Sequence, residues 1–80
     1  MIREYEVIWN RDILLYDTYD SALSNAKYLV SDEITPKRYK ALIIERVLNS
    51  PNIQFNVESI TLVEWLDDRA NSQFKITKLL

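Results

Sequence analysis

Between Asp17 and Val30 the hydrophobic period of this chain changes from two to 3.6, and that change fixes where strand gives way to helix. Leu23, Ala26 and Val30 recur at helical spacing, flanked by Tyr19, Ala22 and Leu29. They form one apolar face wide enough to lie on a sheet, and the two alanines allow close approach to it. Thr18 is the expected N-cap, its hydroxyl accepting from a free N–H of the first turn. Asp20 falls in that turn, where a carboxylate suits the positive end of the helix dipole. Ser21, Ser24, Asn25 and Lys27 fall on the wet side, and Ser31-Asp32 ends the pattern.

Upstream, Tyr5, Val7 and Trp9 alternate with Glu4, Glu6 and Ile8, the pattern of a half-buried strand. Asn10-Arg11-Asp12 is a short turn and Ile13 to Asp17 a second strand, so the pair is an antiparallel hairpin. Downstream, Asp32-Glu33-Ile34 reads as a linker. Thr35-Pro36 is a helix-start signal, because proline loses nothing at the first helical position. The spacing then predicts a second helix from Pro36 to Asn49, with Tyr39, Leu42, Ile43 and Val47 as its buried stripe and Ile44 and Leu48 beside it. A strand over 40–48 competes, since Leu42-Ile43-Ile44 and Val47 favour β structure.

Ile53, Phe55 and Val57 alternate, and Ile60 and Leu62 resume in the opposite phase. The slip at Glu58-Ser59 is either a bulge or a gap between two short strands. A strand through Ile60–Trp65, a polar loop over 66–72 and a last strand around Phe74 and Ile76 complete the chain. The expected fold is a single compact α+β domain over residues 1–80: a small antiparallel sheet with two helices on one face, in the order ββααββ.

The chain contains no Gly, no His and no Cys. Without glycine it lacks the phosphate-cradling loops of P-loop and dinucleotide-binding proteins. Without imidazole and thiol it lacks the commonest general base, the commonest metal ligand and every Ser-His or Cys-His nucleophile pair. Asp17 and Asp20 flank a helix start, Asp32-Glu33 a helix end, and Asp67-Asp68 a polar turn. None has the spacing of a calcium loop or of a glycosidase pair. No catalytic residue, cofactor site or metal site is therefore expected. Twelve acids against ten bases give a net charge of -2, too balanced to mark a nucleic-acid footprint. The charged, strand-like start Met1-Ile2-Arg3-Glu4 is unlike a signal peptide, and no apolar run is long enough to span a bilayer, so a cytoplasmic location is the default expectation.

Two features point to surfaces rather than catalysis. Residues 36–50 carry Lys37, Arg38, Lys40 and Arg46 against Glu45 alone, whereas the first 35 residues are acidic. The chain is also rich in Tyr and Trp, types enriched at interface cores. The candidate partner-binding set is Tyr16, Tyr28, Tyr39 and Trp65, with Arg38, Lys40, Asp67, Asp68 and Arg69 as a charged rim.

The hairpin running into Asp17-Thr18-Tyr19-Asp20-Ser21-Ala22-Leu23 resembles the opening of many very small accessory proteins of bacteriophages and mobile elements. Their usual text is Asp-Thr, an acidic residue, then Ala-Leu and an Ala one turn on. The match spans residues 5–30, with Ser21 where an acidic residue is often found. The resemblance implies an accessory protein that binds and blocks a host or defence enzyme such as a CRISPR nuclease, as anti-CRISPR and other anti-defence inhibitors do. The alternatives are a nucleic-acid-binding module using the basic second helix, and a self-associating subunit that pairs through its first or last strand as a homodimer.

Overall fold

The computed structural model describes residues 2–31, 39–48, 55–68 and 71–80. Strand β1 (Ile2–Trp9) turns through Asn10 and Arg11 into β2 (Asp12–Tyr16). Asn10 has φ 61. Asparagine is, after glycine, the residue best able to take the left-handed conformation, and in a glycine-free chain it serves the tight turn.

Helix α1 (Tyr19–Val30) follows. Thr18 caps it, its side chain accepting from the Ser21 N–H at 3.1 Å. Ser31 closes the other end, donating its backbone N–H to the Lys27 carbonyl at 3.1 Å and its hydroxyl to the same oxygen at 2.7 Å. Ala22, Ala26 and Val30 are buried, as the 3.6-residue period requires.

The chain then forms β3 (Lys40–Leu48), β4 (Phe55–Asp68) and β5 (Asn71–Lys78). All five strands join one antiparallel sheet in the order β2-β1-β3-β4-β5. The element order is therefore ββαβββ, with one helix among the described residues.

This corrects the expected two-helix ββααββ arrangement. Residues 40–48 are the central strand rather than a helix. Their burial alternates, with Ala41 and Ile43 closed and Leu42 and Ile44 half-open, which is a period of two. Apolar residues on both sides of the segment mimic a wide helical stripe, but they belong to the two faces of an interior strand. β-branched Ile43, Ile44 and Val47 are also stiff at χ1 and fit a pleated surface better than a helical turn. The helix-start signal at Thr35-Pro36 lies outside the described residues.

Two further boundaries differ. β4 runs through Asp68 and β5 begins at Asn71, so most of the expected polar loop over 66–72 is strand. β1 is interior, between β2 and β3, so the first strand is not an edge; the edges are β2 and β5.

The phase slip at Glu58-Ser59 is a bulge. Glu45 pairs with Ser59 and Arg46 with Val57, which leaves Glu58 as the extra residue. The bulge lets Val57 share a face with Ile60 and Leu62.

The core lies between α1 and one side of the sheet. Val7, Ala41, Ile43 and Val63 meet Ala22, Ala26 and Val30, with Tyr5, Trp9, Tyr16, Leu23, Leu29, Trp65 and Phe74 packed around them. Each fully buried Val or Ile contributes about 1.5–3 kcal/mol by leaving water. Among the described residues no helix is long and apolar enough to cross a membrane.

Candidate protein-binding face

Strand register assigns every described strand residue to one of two faces, because successive side chains alternate. The face toward α1 carries the core. The opposite face is organised in rows that cross the strands. One row runs Ile13–Ile8–Leu42–Leu62–Thr77, each residue a register partner of the next. The adjacent row runs Leu15–Glu6–Ile44–Ile60. The backbone of Leu79, whose N–H donates to the Ile60 carbonyl at 2.8 Å, extends it.

Charged rows bound the apolar ones. On one side Lys40, Glu64 and Lys75 are successive register partners. On the other side Glu4 faces Arg46. Arg46 Nε donates to Glu6 Oε1 at 2.9 Å, and Lys40 Nζ lies 3.7 Å from Glu64 Oε2. Glu6 sits inside the second row, closed by Arg46; apart from it the centre is apolar and the border polar, the anatomy of a protein-binding surface.

Among the described residues, no element packs on this face. Ile13 and Leu15 are 62% and 60% exposed at its β2 edge, Val57 and Leu66 are also open, and Ile8, Leu42, Ile44, Ile60 and Leu62 are half-buried by one another.

The helix side holds a cleft of about 360 Å³ with mixed polar and apolar walls, lined by Tyr19, Glu45, Ser59, Thr61, Ile76 and Lys78. Its carboxylate is already engaged. Glu45 accepts from the Tyr5 hydroxyl at 2.8 Å, from Arg3 Nη1 at 3.1 Å and from the Ser59 hydroxyl at 3.2 Å. Arg3 Nη1 also donates to Glu58 at 2.9 Å. These bonds hold the Glu45 carboxyl below its ordinary value, the Tyr5 bond most strongly, against the opposing effect of burial. A carboxylate so stabilised is a poor general base.

Among the described residues, the expected partner-binding side chains lie on different sides of the molecule. Tyr16 and Trp65 are half-buried and packed against the core, Trp65 with its ring 4.8 Å from that of Phe74. Tyr28 is 69% exposed on α1. Tyr39 is exposed just before β3, where its carbonyl accepts from the Trp65 N–H at 2.9 Å. Lys40 belongs to the charged border of the open face. Asp67 and Asp68 end β4, their side chains outside what the structure describes, and Arg38 and Arg69 lie outside the described residues.

Of the basic residues of 36–50, the two described, Lys40 and Arg46, lie on a strand and not on a helical face, each against a glutamate. The apolar rows that sequence reasoning missed were visible as Ile8, Ile13, Leu15, Leu42, Ile44, Ile60 and Leu62, but assigning 40–48 to a helix scattered them. No protein-family model, no curated protein and no solved structure matches this chain.

Proposed function

We propose that this chain is a non-catalytic accessory protein that acts by binding another protein through the open face of its sheet, as an inhibitor of a host or defence enzyme does. The observation that supports this reading is that the Ile13–Ile8–Leu42–Leu62 row and its neighbour, open at Ile13 and Leu15 and half-buried further in, carry no packed element among the described residues and are bordered by charges. Burying such a surface removes apolar area from water, which is the main driving force of protein association. The sequence supports the same reading, since a chain without Gly, His and Cys has few groups with which to turn over a substrate. The resemblance of residues 5–30 to phage accessory proteins narrows the proposed client to an enzyme of the defence machinery, a CRISPR nuclease among them.

The test compares the wild-type protein and Ile44→Asp as baits in host lysate. A stoichiometric partner held by the first and released by the second supports the proposal, and titrating that partner's activity to zero near one equivalent extends it to inhibition. Recovering no stoichiometric partner under several conditions, or equal capture by both baits, counts against it.

A further inference from the structure

We infer that the cleft on the helix side of the sheet binds a small, uncharged, polyhydroxylated molecule of monosaccharide size. This site lies on the opposite side of the sheet from the open face, so neither reading depends on the other.

The fold itself leaves the cleft. α1 lays Ala22, Ala26 and Val30 against Val7, Ala41, Ile43 and Val63, and it begins only at Tyr19. Thr61 is the register partner of Ile43 and of Lys78, and Ser59 is the partner of Glu45. These side chains therefore share the helix-side face at the margin of the core, with Tyr19 above them and Ile76 beside them. The enclosed volume of about 360 Å³ falls within the range of small-molecule pockets, about 300–1,000 Å³.

One buried group points to an occupant. Thr61 is 6% exposed and lines the cleft, yet among the described residues its hydroxyl has no hydrogen-bond partner. Buried hydroxyls are ordinarily bonded, so this one takes its bond from whatever fills the cleft. Among the described residues the Tyr19 hydroxyl is unpartnered in the same way.

Donors and acceptors then select the chemistry. Glu45 accepts three bonds, from Tyr5, Arg3 and Ser59. A carboxylate has about four acceptor sites, so one is left. Ser59 gives its proton to Glu45 and faces the cleft as an acceptor. Lys78 offers donors only, and Thr61 and Tyr19 can do either. A phosphate or carboxylate brings acceptors alone and would meet Glu45 and Ser59 without a proton between them. An ammonium brings donors alone and would meet Lys78. Charge agrees, since Glu45 and Glu58 are balanced by Arg3 and Lys78 and leave no net charge to hold an ion. Hydroxyls on neighbouring carbons each donate and accept, which answers both kinds of group at close spacing. The C–H faces between them suit the Tyr19 ring and Ile76.

Titration of the full chain followed by amide NMR shifts tests this, with neutral mono- and disaccharides as probes and inorganic phosphate and choline as the charged arms. At least one sugar is expected to give saturable shifts at Glu45, Ser59, Thr61 and Ile76. Thr61→Val and Tyr19→Phe each remove one hydroxyl and keep the shape, and each is expected to weaken that sugar about tenfold. The absence of saturable shifts with every sugar at tens of millimolar overturns the inference. So does saturable binding of phosphate or choline in the cleft without any sugar, or sugar binding that both variants leave unchanged.

Discussion

Tyr5 donates its hydroxyl proton to Glu45 Oε2 at 2.8 Å, and the two residues are direct register partners across β1 and β3. The bond ties the first strand to the central one on the helix side of the sheet. Tyr5 also meets Tyr19 of α1 edge-on, with ring centroids 6.2 Å apart. One side chain thus links strand, neighbouring strand and helix start. Tyr5→Phe keeps the ring and removes the donor. The Glu45 carboxyl is then expected to titrate closer to its ordinary value, and stability to fall by about 1 kcal/mol. Carboxyl chemical shifts followed by NMR, with urea unfolding, measure both. An unmoved Glu45 titration would show that the bond does not form in solution.

The same pair sets a pH window. The folded value of Glu45 is depressed, chiefly by the Tyr5 bond and further by Ser59 and Arg3, while burial opposes them. Its contribution is therefore fully present above the ordinary carboxylate range, about pH 4.3, and is lost as pH falls through the lower folded value. Tyr5 is shifted the other way, raised first by its hydrogen bond to Glu45 and then by burial. That contribution is present below the ordinary phenol value, about pH 10, and is lost as pH rises through the higher folded value. Unfolding free energies across pH should decline at both ends, and Tyr5→Phe should abolish the alkaline limb and flatten the acid one. Superimposable profiles for the two proteins would break the linkage.

Thr18 holds the start of α1 through its bond from the Ser21 N–H. Thr18→Ala leaves that donor to water and is expected to cost about 1 kcal/mol, whereas Thr18→Ser should be nearly neutral because it keeps the acceptor. Thermal unfolding of both variants separates the cap from mere loss of a methyl group. Equal losses would assign the effect to packing.

How much of this was legible depended on whether a segment shows one face or two. α1 with its Thr18 cap could be read because it is a one-sided pattern, and the β1–β2 hairpin because of its local punctuation, while the slip at Glu58 was visible but fitted a bulge and a gap alike. β3 could not be settled that way. An interior strand with Ala41 and Ile43 on one side and Leu42 and Ile44 on the other has no polar side to mark its period. Thr35-Pro36 just upstream then tipped the balance toward helix. The candidate face was lost with it, because its rows are assembled across the strands of the sheet, one of them across all five, and exist only once β3 is placed between β1 and β4. Aromatic content was a weaker guide: Tyr16 and Trp65 went to the core side, while the exposed rows are aliphatic.

Adjacent positions of β3 should therefore behave as opposites. Ile43 is 1% exposed beneath α1, against Val7 and Thr61 in the ladder. Ile43→Ala leaves a cavity there and is expected to cost about 2–4 kcal/mol of stability. Ile44, one residue on, lies between Glu6 and Ile60 on the open face. Ile44→Ser should cost clearly less than Ile43→Ala in the isolated chain, since Ile44 is only half-buried, yet weaken any contact that buries the face. Chemical unfolding of the monomer at low concentration measures the first effect, and association by light scattering or client capture the second. If Ile44→Ser unfolds the monomer as readily as Ile43→Ala does, then both sides of β3 are closed by the chain itself and the face is not open to a partner.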